Sequence, residues 1–159
     1  LKRVNDDNRV LANVLVSSGR ISYDMLVVDV GSDLGVHVGD RVVYAGAGVI
    51  GTVVEAYEST SKIKLFSSPN EETRVSIGKE SIPALARGKG MGNFEVILPQ
   101  GVSVKVGDEV IIPGTMFVLG YVGSVENNQD QPLSKILFRS PFNTTSIATV
   151  EIVLGDSKI

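Results

Sequence analysis

The feature that most constrains this chain is that it repeats itself. The segment "GVHVGDRVVYAG" (35–46) aligns with "SVKVGDEVIIPG" (103–114) at a shift of 68, with Val36, Val38, Gly39, Asp40, Val42 and Gly46 matched. Further on, "IGTVVE" (50–55) aligns with "VGSVEN" (122–127), and "LFSSP" (65–69) with "LFRSP" (137–141), both at a shift of 72. Two copies of a unit of about 70 residues are too short for one large sheet and long enough for two small closed ones.

Each copy is written in strand language. "DMLVVDV", "IGTVVEAY", "KIKLFS", "TRVSI", "NFEVIL" and "ATVEIVL" are short, β-branched and bounded by Gly, Pro, Asn or Asp. Thr73, Val75 and Ile77 fall on one face and Arg74 and Ser76 on the other; Phe94, Val96 and Leu98 oppose Glu95 and Ile97. The expected fold is all-β, with two small six-stranded-type β-barrels in tandem. Residues 12–77 form the first barrel, completed by a C-terminal strand at 146–154, and 78–145 form the second. Ahead of them, Leu1, Val4, Asn8 and Leu11 stand at alternating three- and four-residue steps. That is a/d spacing with Asn at an a-type position, so 1–11 is expected to be a short helical, coiled-coil stump that pairs with a second copy.

Gly46-Ala47-Gly48-Val49-Ile50-Gly51 matches G-x-G-x-x-G, the pattern of a dinucleotide loop. The second copy tests it. "PGTMFVLGYVG" aligns Gly114 and Gly123 with Gly46 and Gly51, inserts four residues, and has no counterpart of Gly48. A pyrophosphate cradle does not survive such an insertion, and "TVVEAY" after Gly51 is strand-like with no helix cap. Gly39, Asp40, Gly48, Gly51, Gly107, Asp108 and Gly123 are therefore assigned to backbone turns, and no cofactor is expected.

No catalytic constellation emerges. Cysteine is absent, which removes thiol nucleophiles, disulfides and zinc–thiolate sites. The one histidine, His37, stands where the second copy has Lys105, as on a solvated face. Glu71-Glu72 lack the alternating oxygen ligands of a calcium loop. "RGKGMGNF" lacks the order of a phosphate loop and runs into a strand, so it reads as a glycine-rich turn. A net charge of −3 provides no basic stripe for nucleic acid. With 43% apolar residues the chain can bury a core, yet it has no run of 18 apolar residues to span a bilayer. Its first residue is Leu1, so it is expected to be a piece of a longer protein. One surface stands out: Met116, Phe117, Val118, Leu119 and Tyr121 crowd the inserted turn. Such a loop either plugs its own barrel or receives a protein partner.

Taken in order, "LVVDVGSDLGVHVGDRVV", "GVIGTVVEAYESTSKIKLFSSP", "ARGKGMGNFEV", "VKVGDEVIIPG" and "FVLGYVGSV" resemble the extracytoplasmic region of the MreC family of rod shape-determining proteins. The resemblance rests on Asp29-Val30-Gly31-Ser32, Gly48 to Gly51, Thr60-Ser61 and the Gly88, Gly90, Gly92 stretch, and it covers about Val14 to Val153. It implies a non-catalytic scaffold of cell-wall elongation. The barrels would lie outside the inner membrane, anchored through a segment ahead of this chain. Its partners would be a second copy (a homodimer or a higher assembly), a penicillin-binding transpeptidase and other elongation proteins. A β-barrel adaptor of an envelope transport complex is the alternative; a cofactor-binding enzyme is the third.

Overall fold

The computed structural model describes residues 8–17, 24–44 and 48–155. Twelve strands account for more than half of them. They are β1 (Arg9–Val16), β2 (Met25–Val28), β3 (Arg41–Tyr44), β4 (Gly48–Ala56), β5 (Ser61–Leu65), β6 (Glu72–Ile77), β7 (Ile82–Gly90), β8 (Asn93–Pro99), β9 (Glu109–Ile111), β10 (Val118–Asn127), β11 (Leu133–Arg139) and β12 (Thr149–Val153). A single 3₁₀ turn at Ser32–Leu34 is the helical element among the described residues.

The strands close into two rings. One runs β4-β3-β12-β1-β2-β5 and is sealed by β4 pairing with β5; the other runs β10-β9-β6-β7-β8-β11 and is sealed by β10 pairing with β11. The orders correspond position by position, with β12 in the first ring where β6 stands in the second. The first barrel is thus finished by the last strand of the chain, antiparallel to both β1 and β3. Among the described residues, closure leaves no sheet edge open to pairing with another chain. β6, placed before residue 78, pairs with β7 and β9, so the strand boundary between the rings falls ahead of Glu72.

Period-2 alternation fills each ring. Val10, Leu26, Val28, Val42, Ile63 and Ile152 meet inside the first, and Ile77, Phe94, Val96, Val110, Ile136 and Phe138 inside the second. Phe94 and Phe138 stack with centroids 4.5 Å apart. On β3 and β4 both faces are buried: Val42 and Ile50 point into the first core, Val43 and Val49 into the second. A strand buried on both faces reads as an unbroken apolar run, which is what "GVIG" is. The rings also touch through one parallel residue pair, Val118 with Gly48.

The expected N-terminal helix is not found among the described residues. Arg9–Val16 is a strand, Leu11 pairs with Glu151, and Asn8 has a left-handed φ of 59°. Two flanking strands offer residues 9–16 a full ladder, and Val10 and Ala12 alternate into the core, so period 2 outweighs under two heptads. Leu1 and Val4 lie outside the described residues.

Candidate functional site

The repeated turns can be compared atom by atom. Gly39 and Gly107 have φ of 96° and 92°, a region that favours glycine. Their N–H groups donate to Val53 and Val122 carbonyls, each at 2.8 Å. The carboxylate of Asp40 accepts the His37 N–H at 2.9 Å, and that of Asp108 accepts the Lys105 N–H at 2.9 Å. His37 is exposed and contributes backbone alone to this turn. In both copies the "VGD" turn uses its aspartate to satisfy backbone N–H groups of the same turn.

These contacts also fix the true register of the repeat. Val42 corresponds to Val110, a shift of 68; Gly51 pairs with Val42 as Gly120 pairs with Val110, a shift of 69. Leu65 donates its N–H to Asp24 as Ser140 does to Gly92, a shift of 75. The β9–β10 connection is therefore one residue longer than its counterpart, not four, and Gly51 matches Gly120 and not Gly123. The shift of 72 failed because it slips by three, and an odd slip turns every side chain to the other face. At 75, Ile63 and Phe138 are both buried; at 72, buried Gly51 would match exposed Gly123.

Gly48 and Gly51 lie inside β4 and not at a hairpin tip, and no helix follows them. A Cβ on Gly51 would collide with the Lys64 carbonyl, and one on Gly120 with the Arg139 carbonyl. A Cβ on Gly48 would come within 2.8 Å of the Phe142 ring. Close strand crossing requires these glycines. Gly123 meets nothing nearer than 3.8 Å. Asp29 accepts both the backbone N–H (2.7 Å) and the side-chain amide (3.0 Å) of Asn13, and Ser61 donates to the Val30 carbonyl at 2.8 Å. Each short motif closes a turn or a crossing.

The expected docking loop is divided by the fold. Met116 projects into solvent at 89% exposure, and Tyr121 is 41% exposed, but Leu119 is fully buried in the second core. Phe117 and Val118 are half-buried; Phe117 packs on that core and lies under the Arg9 guanidinium, 5.9 Å from its centroid. The Thr115 hydroxyl donates to the Ile112 carbonyl at 2.8 Å and accepts the Phe117 N–H at 3.0 Å, so the turn folds on itself. Strand alternation separates Tyr121 from Val122, and the irregular β9–β10 register between Val118 and Gly120 lets Leu119 be buried two residues before the exposed Tyr121, which "TMFVLGY" read as a loop did not show.

A second exposed apolar cluster escaped the sequence. Met91, at the tip of Gly90-Met91-Gly92, is 67% exposed, and with Tyr121, Arg139 and Phe142 it lines a groove of about 630 Å³. The only signal was a large apolar residue between two glycines. Among the described residues no group of three His, Asp or Glu is arranged to hold a metal ion, and no helix is long and apolar enough to cross a membrane.

Glu55, Tyr57 and Lys62 form an exposed trio at the β4–β5 turn. Tyr57 donates to the Glu55 carboxylate at 2.7 Å and Lys62 pairs with it at 3.2 Å. The tyrosine hydrogen bond first, then the lysine, holds the Glu55 carboxyl below its ordinary value, and the same carboxylate pushes the Tyr57 hydroxyl up.

Residues 14–154 match the family model "Rod shape-determining protein MreC, barrel core". The chain is 26% identical over 111 residues to the cell shape-determining protein MreC of Escherichia coli K12, covering 69% of this chain and 30% of that one. It spans about a third of the length of the curated relatives it matches. Its fold superposes on the crystal structure of MreC from Pseudomonas aeruginosa with a TM-score of 0.84 at 19% identity, covering 92% of this chain and 99% of that one. It also superposes on a chain of a complex between penicillin-binding protein PBP2 and MreC from Helicobacter pylori, with a TM-score of 0.61 at 13% identity, covering 91% of this chain and 97% of that one. Two closed six-stranded rings and a family match along nearly all of the described chain converge: the chain belongs to the MreC family.

Proposed function

We propose that this chain is the barrel region of a non-catalytic scaffold of cell-wall elongation, held outside the inner membrane by a segment that precedes it. It binds a penicillin-binding transpeptidase, and through self-association it brings several such enzymes together. The observation that carries this reading is the match of residues 14–154 to the MreC barrel core, joined by the likeness to an MreC in complex with PBP2. The mechanism is a shift of population: binding the conformation of the synthase that is competent for chemistry raises its share, with no bond made or broken by the scaffold. The closed rings suit such a scaffold, because rigid strands present outer side chains without offering an edge for aggregation.

Calorimetry between the purified chain and the extracytoplasmic region of the cognate transpeptidase tests the partnership. Saturable binding together with a rise in transpeptidase turnover is expected. Absence of binding at every ratio would end the proposal.

A further inference from the structure

The turn that carries Met91 is built at a cost no packing returns. Gly90, Met91 and Gly92 all have positive φ, of 94°, 54° and 80°. Glycine adopts that region freely, whereas a methionine there is strained. Four hydrogen bonds hold the turn in place: Met91 N–H to the buried Asp24 carboxylate at 2.5 Å, Gly92 N–H to Ser67 Oγ at 3.0 Å, Gly90 N–H to the Ser67 carbonyl at 2.6 Å, and Ser67 Oγ to Asp24 at 3.3 Å. The backbone alone would be better served by glycine or asparagine at 91. Since the methionine side chain stays 67% exposed, its use lies outside the fold.

Beside it, one row crosses three strands of the second barrel. Arg139 pairs with Tyr121 on one side and with Asn93 on the other, and all three are exposed. Pro141 and Phe142 complete the wall, and Phe142 is braced by Tyr44 at 4.9 Å. The groove has the size of a site that takes a few side chains. Its lining contains one cation and no carboxylate, and the Arg139 guanidinium has no hydrogen-bond or ion-pair partner among the described residues. The cleft between the barrels differs: Lys64 there is already paired with Glu71 at 2.9 Å. On the outer face of β7 and β8, Arg87 pairs with Glu72 and Lys89 with Glu95.

From this we infer that the groove of Met91, Tyr121, Arg139 and Phe142 receives a segment of the transpeptidase that presents an apolar side chain next to an Asp or Glu carboxylate. The apolar group lies between Met91 and the rings of Tyr121 and Phe142, and the carboxylate meets Arg139. Methionine and tyrosine supply adaptable and rigid contact area respectively, and arginine supplies a directional anchor. This assignment rests on the proposed function, since it names the surface through which that partner binds.

The test measures affinity between the full chain and the extracytoplasmic region of the cognate transpeptidase. Met91→Gly removes the side chain at a φ that glycine prefers, so the fold is kept and the melting temperature does not fall. Met91→Gly and Arg139→Glu are each expected to weaken binding by about tenfold, and Met116→Ala to leave it unchanged. Arg139→Gln should also flatten the salt dependence of binding. Binding by the wild type that both groove variants retain within about twofold overturns the groove and leaves the proposed function standing. No binding by the wild type overturns both. Self-association lost in the groove variants, with transpeptidase affinity unchanged, would give the groove to a second copy and overturn this occupant.

Discussion

The two barrels follow one strand order but reach closure by different routes. The second is contiguous, from β6 to β11. The first collects five strands before that unit and its sixth, β12, after it. The difference is written into one matched residue. Asp108 is half-buried and accepts the Lys105 N–H; Asp40 is fully buried and, besides the His37 N–H, accepts the Gly155 N–H at 3.2 Å. In the first ring the shared turn has thus acquired a second role, tying down the end of the strand that returns from afar.

The strongest way to break this comparison is to attack the returning strand. Ile152→Asp places a charge in the first core and is expected to cost about 4 kcal/mol or more. Hydrogen exchange should show protection lost from β1, β2 and β5 and kept in β7, β8 and β11. Equal loss in both sets would mean that Val43 and Val49 weld the rings into one cooperative unit. The register of the repeat is sharpened by glycine changes. Gly51→Ala and Gly120→Ala should each destabilise by about 1–3 kcal/mol, and Gly123→Ala by about 0.5 kcal/mol or less, in urea unfolding. Similar losses at 51 and 123 with none at 120 would restore the shift of 72.

The aspartates supply a smaller test. Asp40→Ala, leaving two N–H groups without their acceptor, is expected to cost about 2 kcal/mol, and Asp108→Ala about 1 kcal/mol. Equal values would deny Asp40 its second role. The smallest effect belongs to the β4–β5 turn. Its counterpart in the second ring is the longer β10–β11 connection. Tyr57→Phe should raise the Glu55 pKa toward the ordinary carboxylate value, read by carboxyl NMR titration, without moving global stability. Because the folded value is depressed, whatever Glu55 contributes is present at neutral pH and fades as pH falls through that value; the variant shifts the loss to higher pH.

Much of this was legible in sequence, for physical reasons. Alternation in "TRVSI" and "NFEVIL" gave the inward faces, and "VGD" gave two turns, because each depends on neighbours within a few residues. Register was not readable: a three-residue slip preserves apolar letters and reverses faces, and only pairing across strands distinguishes the two. The docking loop misled for a related reason, since Leu119 and Tyr121, two residues apart, part company through the irregular pairing between Val118 and Gly120, which no local pattern shows. The Met91 groove is assembled from β8, β10, β11 and a turn, far apart in sequence, so no local pattern announces it.

The position of β12 also sets a timetable. Emerging from synthesis with its N-terminus first, the chain presents five strands that cannot yet close, then a complete second barrel, and only after it the missing stave. The later unit is thus free to mature earlier, while the earlier one waits with an open seam between β1 and β3. A chain cut before Thr149 would retain a sound second half and a gaping first. Sealing the first ring thereby certifies that synthesis has passed Val153.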